Sequence, residues 1–171
     1  TVSPGFFESL GVPIVAGRDG HDYIGTAVAE GAPAYLTSGP IGAATAVRVD
    51  DTARALTDLG RRARGRLAGE VIGITGSVGK TSLKDLLREV TGTTWSTHAS
   101  VGSFNNELGV PLTLVDAPDD AGVVVVEMGA RGIGHVAELC EVARPSVGVV
   151  TVVAGAHLEH FGSLAAIAAA K

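Results

Sequence analysis

Residues 71–82 read Val-Ile-Gly-Ile-Thr-Gly-Ser-Val-Gly-Lys-Thr-Ser. An apolar run, Val71 to Thr75, enters a glycine-bearing turn and leaves it at Lys80-Thr81. Beyond the turn, Leu83, Leu86, Leu87 and Val90 recur at i, i+3, i+4 and i+7, the spacing of one helical face. The stretch therefore reads strand, turn, helix. Free N–H groups at a helix start, aided by the helix dipole, suit an anion. Gly76 and Gly79 lack a Cβ and permit a tight turn with close approach of phosphates. In such a loop the backbone from Gly76 through Ser77, Val78 and Gly79 to Lys80, Thr81 and Ser82 forms the ATP-phosphate cradle. Lys80 bridges the β- and γ-phosphates, and the Thr81 hydroxyl ligates Mg²⁺.

The general phosphate-loop pattern asks for glycine at position 74, where this chain has Ile74. The competing reading is an ordinary strand–helix turn with an exposed lysine. Strand context, two glycines, Lys80 and Thr81 together favour the phosphate loop.

A chain of 171 residues can hold one domain, or a small domain and part of another. A 46% apolar fraction marks a globular sequence. The net charge of −5 gives no reason to expect nucleic-acid binding. Cys140 is the single cysteine and cannot form an intramolecular disulfide, which agrees with a reducing cytoplasm. No apolar run approaches the ~18 residues of a membrane span, and no signal-peptide pattern is present. The first residue, Thr1, and the alanine-rich finish suggest a piece of something longer.

Residues 1–66 read as a first, small α/β unit. Short strands are expected near Ala34–Thr37 and Val47–Val49, with a short helix over about 23–31. Asp50 or Asp51 caps a helix running to about Arg64, with Ala55, Leu56, Leu59 and Ala63 as its buried face. Arg61, Arg62, Arg64 and Arg66 read as a solvated helix end, where the dipole favours cations.

From residue 71 strands alternate with helices, which implies a parallel sheet. Val123 to Val126 is an unbroken β-branched run, expected for a strand covered on both faces. Glu127 stands at its carboxyl end, the edge at which open α/β sheets bind ligands. There it can face a Mg²⁺ held by the loop; the competing reading is a solvated loop glutamate. Gly134 to Arg144 is helical and stopped by Pro145, with Cys140 as plain core. Val147 to Val153 reads as the next buried strand. Its following loop carries His157, Glu159 and His160. Ser163 caps a helix that points Lys171 back toward this loop. The Asn105 and Asn106 amides can donate to phosphate or substrate oxygens, or they can simply form a turn. Trp95 reads as packing.

Several of these stretches carry a resemblance: the turn Thr75 to Ser82, then Asn105-Asn-Glu-Leu-Gly-Val-Pro-Leu-Thr-Leu114, Glu127-Met-Gly-Ala130, Ala156-His-Leu-Glu-His-Phe-Gly-Ser163 and Ala169-Ala-Lys171. In content and order the set resembles the Mur ligases, the ATP-dependent amide-bond enzymes of peptidoglycan synthesis. It is most similar to the member that joins D-Ala-D-Ala to UDP-MurNAc-tripeptide. The resemblance implies a fold of two parts. Residues 1–66 would hold the uridine diphosphate end of the substrate, with a pocket near Gly17 to His21; a turn role for His21 is the alternative. Residues 71–171 would be the first part of a central parallel-sheet P-loop ATPase domain. It further implies a catalytic Lys80, a site role for at least one of Asn105 and Asn106, and a metal set of Thr81, Glu127, His157 and Lys171. In that family the lysine matching Lys171 is typically carbamylated; composition alone makes it a solvated cation. Two rivals stay open: a Mur-like ligase of another carboxylate and amine, and a non-catalytic nucleotide-binding fragment.

Overall fold

The computed structural model describes residues 20–42, 44–155 and 163–171. The chain forms two compact units, residues 1–56 and 57–171.

In the first unit a 3-10 turn, Gly20–Tyr23, leads into α1 (Ile24–Ala29). Strands β1 (Tyr35–Thr37) and β2 (Ala46–Arg48) pair in parallel, with Tyr35 opposite Ala46. The second strand thus lies one residue earlier than the valine pattern suggests. Helix α2 (Thr52–Arg64), which from Thr57 onward belongs to the second unit, starts at Asp51, whose Oδ1 accepts the N–H groups of Ala53 at 2.8 Å and Arg54 at 3.0 Å. That settles which aspartate is the cap.

The second unit is a four-stranded, all-parallel sheet in the order β4-β5-β3-β6. Its strands are β3 (Glu70–Thr75), β4 (Thr97–Ala99), β5 (Val123–Glu127) and β6 (Val147–Val150). Between them run α3 (Lys80–Gly92), α4 (Gly109–Asp116) and α5 (His135–Ala143); α6 (Leu164–Ala170) follows. Successive side chains of a strand face opposite ways, and β5 shows this in its core. Val124 and Val126 join Val110, Leu114, Leu139 and Val142 on the face covered by α4 and α5. Val123 and Val125 join Ile74 on the other face, against Leu83 and Leu87 of α3. Each such burial contributes about 1.5–3 kcal/mol, before the entropy cost of ordering the chain.

Three sequence expectations need correction. The buried stripe of α3 is not Leu83, Leu86, Leu87 and Val90, because Leu86 is 59% exposed and Val90 is exposed as well, whereas Lys84 is buried. The phosphate-loop turn sets the helix rotation at its first residues, and that rotation carries Lys84 inward in place of Leu86. Strand β6 is not buried: Val147 is 45% and Val150 52% exposed. Among the described residues of this chain it pairs with β3 alone. Arg64 is not solvated. Its Nε donates to Ala143 O at 2.8 Å and its Nη2 to Arg144 O at 3.2 Å, so it caps the carbonyl end of α5. Cys140 packs against the α4–α5 core, and burial pushes its thiol pKa up.

Gly60 of α2 lies against Pro111: a Cβ built there would come within 2.7 Å of the Pro111 Cα. A Gly→Ala exchange in an open helix stabilises by up to about 1 kcal/mol. Gly60→Ala is expected to do the reverse and cost about 1–3 kcal/mol through overpacking. Gly92→Ala, at a position with open space around it, is expected to be neutral or stabilising. Urea unfolding of both variants checks the sign.

Candidate functional site

Strand β3 delivers the chain into the loop at its carboxyl end. Gly76 has φ +139° and Gly79 φ +85°, conformations that L side chains rarely adopt. A Cβ on Gly76 would also collide with the Thr151 hydroxyl. The loop is strapped to the segment after β6. Ser77 N donates to Val152 O at 2.8 Å, Ser77 Oγ to Ala154 O at 3.0 Å, and Thr151 Oγ1 to Val78 O at 2.7 Å. Lys80 opens α3, and its Nζ folds back to donate to Gly76 O at 2.8 Å.

Glu127 ends β5 level with Ile74 of β3 and is 1% exposed, which rules out a solvated loop role. The Thr81 hydroxyl donates to its Oε2 at 2.9 Å, and the Asn105 amide donates to its Oε1 at 2.8 Å. Its backbone N–H is held by Ser100 Oγ at 3.1 Å, and Ser100 in turn accepts from Thr113 Oγ1 at 3.2 Å. No cationic side chain pairs with the carboxylate among the described residues. A carboxylate with two hydrogen-bond donors keeps acceptor lone pairs to spare. Together with the Thr81 hydroxyl it presents hard oxygen donors of the kind Mg²⁺ takes.

The two asparagines divide. Asn105 reaches the carboxylate, whereas Asn106 Oδ1 accepts the N–H groups of Leu108 at 3.2 Å and Gly109 at 2.9 Å and so caps α4. Both line a cleft of about 190 Å³ with Gly76, Ser77, Lys80, Gly129, Ala130, Arg131, His135 and Lys171. Lys171 is half-buried there; burial first, and then the Lys80 charge, push its pKa down. Lysine and arginine supply the lining's formal charges, and it includes no carboxylate. Val78 is exposed, and Ser82 lies on the exposed side of the first turn of α3. His157 and the Gly17–Asp19 end of the suggested uridine pocket lie outside the described residues. No cluster of three or more His, Cys, Asp or Glu that could hold a metal occurs among the described residues. His21 Nε2 accepts the Ser38 N–H at 3.0 Å, a contact across 17 residues and not within its own turn.

Sequence reasoning missed Ser100, Lys84, Arg131 and His135. Arg131 and His135 follow the end of β5, and the rule that ligands gather at carboxyl strand ends would have flagged that loop. His135 Nδ1 accepts the Arg131 N–H at 3.2 Å, and Glu107 lies beside both side chains, at 3.1 Å from Arg131 Nη1 and 3.5 Å from His135 Nε2. Lys84 carried a weaker signal: four residues after Lys80, it shares that residue's helix face.

Parallel sheet, phosphate-loop turn and acidic strand end define a P-loop-type α/β domain. Residues 74–171 match the Mur ligase middle domain, and the chain belongs to the Mur ligase family. It is 40% identical over 157 residues to the UDP-N-acetylmuramoyl-tripeptide–D-alanyl-D-alanine ligase of Synechocystis sp., covering 90% of this chain and 35% of that protein. Among solved structures it resembles MurF from Acinetobacter baumannii, with TM-score 0.79 and 33% identity over 90% of this chain and 34% of that one. It also resembles MurF from Thermotoga maritima in complex with ADP, with TM-score 0.77 and 33% identity over 91% and 37%. The chain thus spans about a third of the length of these relatives. No helix among the described residues is long and apolar enough to cross a membrane.

The two loop glycines differ in a way that unfolding can measure. Gly76→Ala combines a disfavoured φ with collision against Thr151 and is expected to cost about 3 kcal/mol. Gly79→Ala has open space around it and is expected to cost only the left-handed penalty of about 1–2 kcal/mol. Denaturant midpoints of the two variants test that order.

Proposed function

We propose that this chain is the phosphate-handling part of an ATP-dependent, ADP-forming ligase of peptidoglycan precursor synthesis. That ligase joins D-Ala-D-Ala to UDP-MurNAc-tripeptide in the cytoplasm. The observation that carries the reading is the buried Glu127 carboxylate bonded to the Thr81 hydroxyl, at the start of the helix that also bears Lys80. The activity named for relatives that are 36–40% identical supports the choice of substrates.

In this reading the tripeptide's terminal carboxylate attacks the γ-phosphorus of ATP, ADP leaves, and an acyl phosphate forms. The amine of D-Ala-D-Ala then attacks the acyl carbon, phosphate leaves, and an amide remains. The chain's residues mostly place reactants and offset charge. Backbone N–H groups from Val78 to Ser82 and the Lys80 ammonium hold the phosphates, while the Ser77 N–H is engaged by Val152 O. Thr81 and Glu127 would hold Mg²⁺, and the family resemblance implies two ions, the first on Thr81 and the second on Glu127, His157 and a carbamylated Lys171. When bound, Mg²⁺ offsets the negative charge that builds as the carboxylate meets the γ-phosphate. Burial beside Lys80 supports the carbamate: it favours the neutral Lys171 amine, the form that reacts with CO₂. Asn105 orients Glu127, and Asn106 holds the loop that carries it. Residues 1–66 take the uridine diphosphate end of the substrate.

Lys80→Ala is expected to abolish Mg-ATP binding in calorimetry and leave the melting temperature unchanged, since the Lys80 side chain holds only its own loop. Unchanged affinity would overturn the phosphate-loop assignment. The 171 residues alone are expected to show no steady ADP release with UDP-MurNAc-tripeptide, D-Ala-D-Ala and Mg-ATP. They span a third of their relatives, and positioning of reactants supplies on the order of 7–11 kcal/mol of such catalysis. Sustained, substrate-dependent ADP production would show that this part suffices.

A further inference from the structure

Among the described residues only two charged residues are buried, Glu127 and Lys84. The first belongs to the site above; the second has no place in it. Lys84 is 2% exposed, and its Nζ donates to Gly102 O at 2.7 Å, with Asp85 Oδ1 at 3.4 Å. A buried ammonium is costly unless it is partnered, and an apolar side chain would fill the same space without that cost. The bond to Gly102 therefore points to a role for the loop that Gly102 belongs to.

That loop runs from Ser100 to Asn105. Its ends are fixed to β5 and the exit from it: Ser100 N donates to Val125 O at 3.0 Å, and Gly129 N donates to Asn105 O at 2.7 Å. In its middle Gly102 takes the left-handed conformation, φ +52°, and Phe104 N donates back to Val101 O at 3.1 Å. Gly102 is the point at which α3 grips the loop. The helix that carries Lys80 and Thr81 at its start thus also carries, one turn later, the anchor for the loop that aims Asn105 at Glu127.

We propose that Lys84 is a positioning residue: through the Gly102 carbonyl it locks the 100–105 loop so that Asn105 holds the Glu127 carboxylate in register with Thr81. The two buried charges are then parts of one device, joined through the loop. Only the consequence for metal-nucleotide binding rests on the reading of Glu127 as a metal-holding carboxylate; the locking itself does not.

The test replaces the ammonium and keeps the stem, Lys84→Met, in the 171-residue chain. Without nucleotide, hydrogen exchange at the Gly129 amide is expected to accelerate about tenfold or more. The Met128 amide, bonded to Ile74 O at 2.8 Å, serves as the control and is expected to hold. Mg-ADP affinity is expected to fall about tenfold, while ADP affinity in EDTA stays unchanged. Asn105→Ala is expected to give the same loss, and the double variant to lose little more, since both act on one carboxylate. Lys84→Arg, which keeps a cationic donor, is expected to restore part of the protection; it takes the place of Lys84→Met in the cycle should the latter not fold. An unchanged Gly129 exchange rate, or fully additive losses in the double variant, would overturn the proposal. Should wild-type ADP affinity be indifferent to Mg²⁺, the metal reading of Glu127 fails, and the Gly129 exchange still decides whether Lys84 locks the loop.

Discussion

The second unit depends on satisfying one buried carboxylate. Glu127 ends a strand whose preceding four residues are all buried valines, and it is itself 1% exposed. Left alone, such a group would be neutralised or would unfold its surroundings. Thr81 and Asn105 supply its hydrogen bonds, and each comes from a different segment. The carboxylate therefore gathers the start of α3 and the loop before α4 onto the end of β5. It does so with neutral donors only.

The sheet order explains why these segments can meet. Strand β3 lies between β5 and β6, and the chain leaves it for β4 on the far side of β5. The later crossover through α5 carries the chain past β3 to the other edge. The direction of winding thus reverses beside β3, and at such a switch point the flanking loops part and leave a crevice at the carboxyl strand ends. The phosphate-loop turn issues from β3 into that crevice, and the 128–135 loop enters it from β5. Straps from Thr151, Ser77 and Ala154 close the remaining side.

What could be read from the sequence was governed by local rules. The 71–82 turn is legible because glycine, lysine and threonine at that spacing have few other uses, and the 123–126 run because β-branched residues in an unbroken row suit a strand with both faces covered. Glu127 follows from its place after that run. What failed needed a partner distant in the chain. Arg64 reads as a solvated end because its acceptor is 79 residues away. The run at Val147 has the same composition as a central strand, and valines do not state how many neighbours a strand has. Lys84 was hidden by the leucines around it: periodicity gives the width of an apolar face but does not fix its rotation when the first turn is held by other forces. Asn105 and Asn106 are adjacent and chemically identical, so only their side-chain directions separate a carboxylate ligand from a helix cap.

Lys80 shows how such a loop can be stable without a ligand and still receptive to one. Its ammonium shares with Lys171 a cleft that Arg131 also lines, a placement that draws anions. The ammonium donates to the Gly76 carbonyl of its own loop, so the group that a phosphate would recruit has a partner without one. In the proposed role a phosphate oxygen, which carries charge as well as lone pairs, would attract the ammonium more strongly than the neutral Gly76 carbonyl does. The freed carbonyl stays within the turn, whose shape is maintained by Ser77 and Thr151 and does not depend on Lys80. Shape and charge are therefore assigned to different residues. The glycines and the straps from residues 151–154 preserve the cradle, and Lys80 is left free to exchange partners.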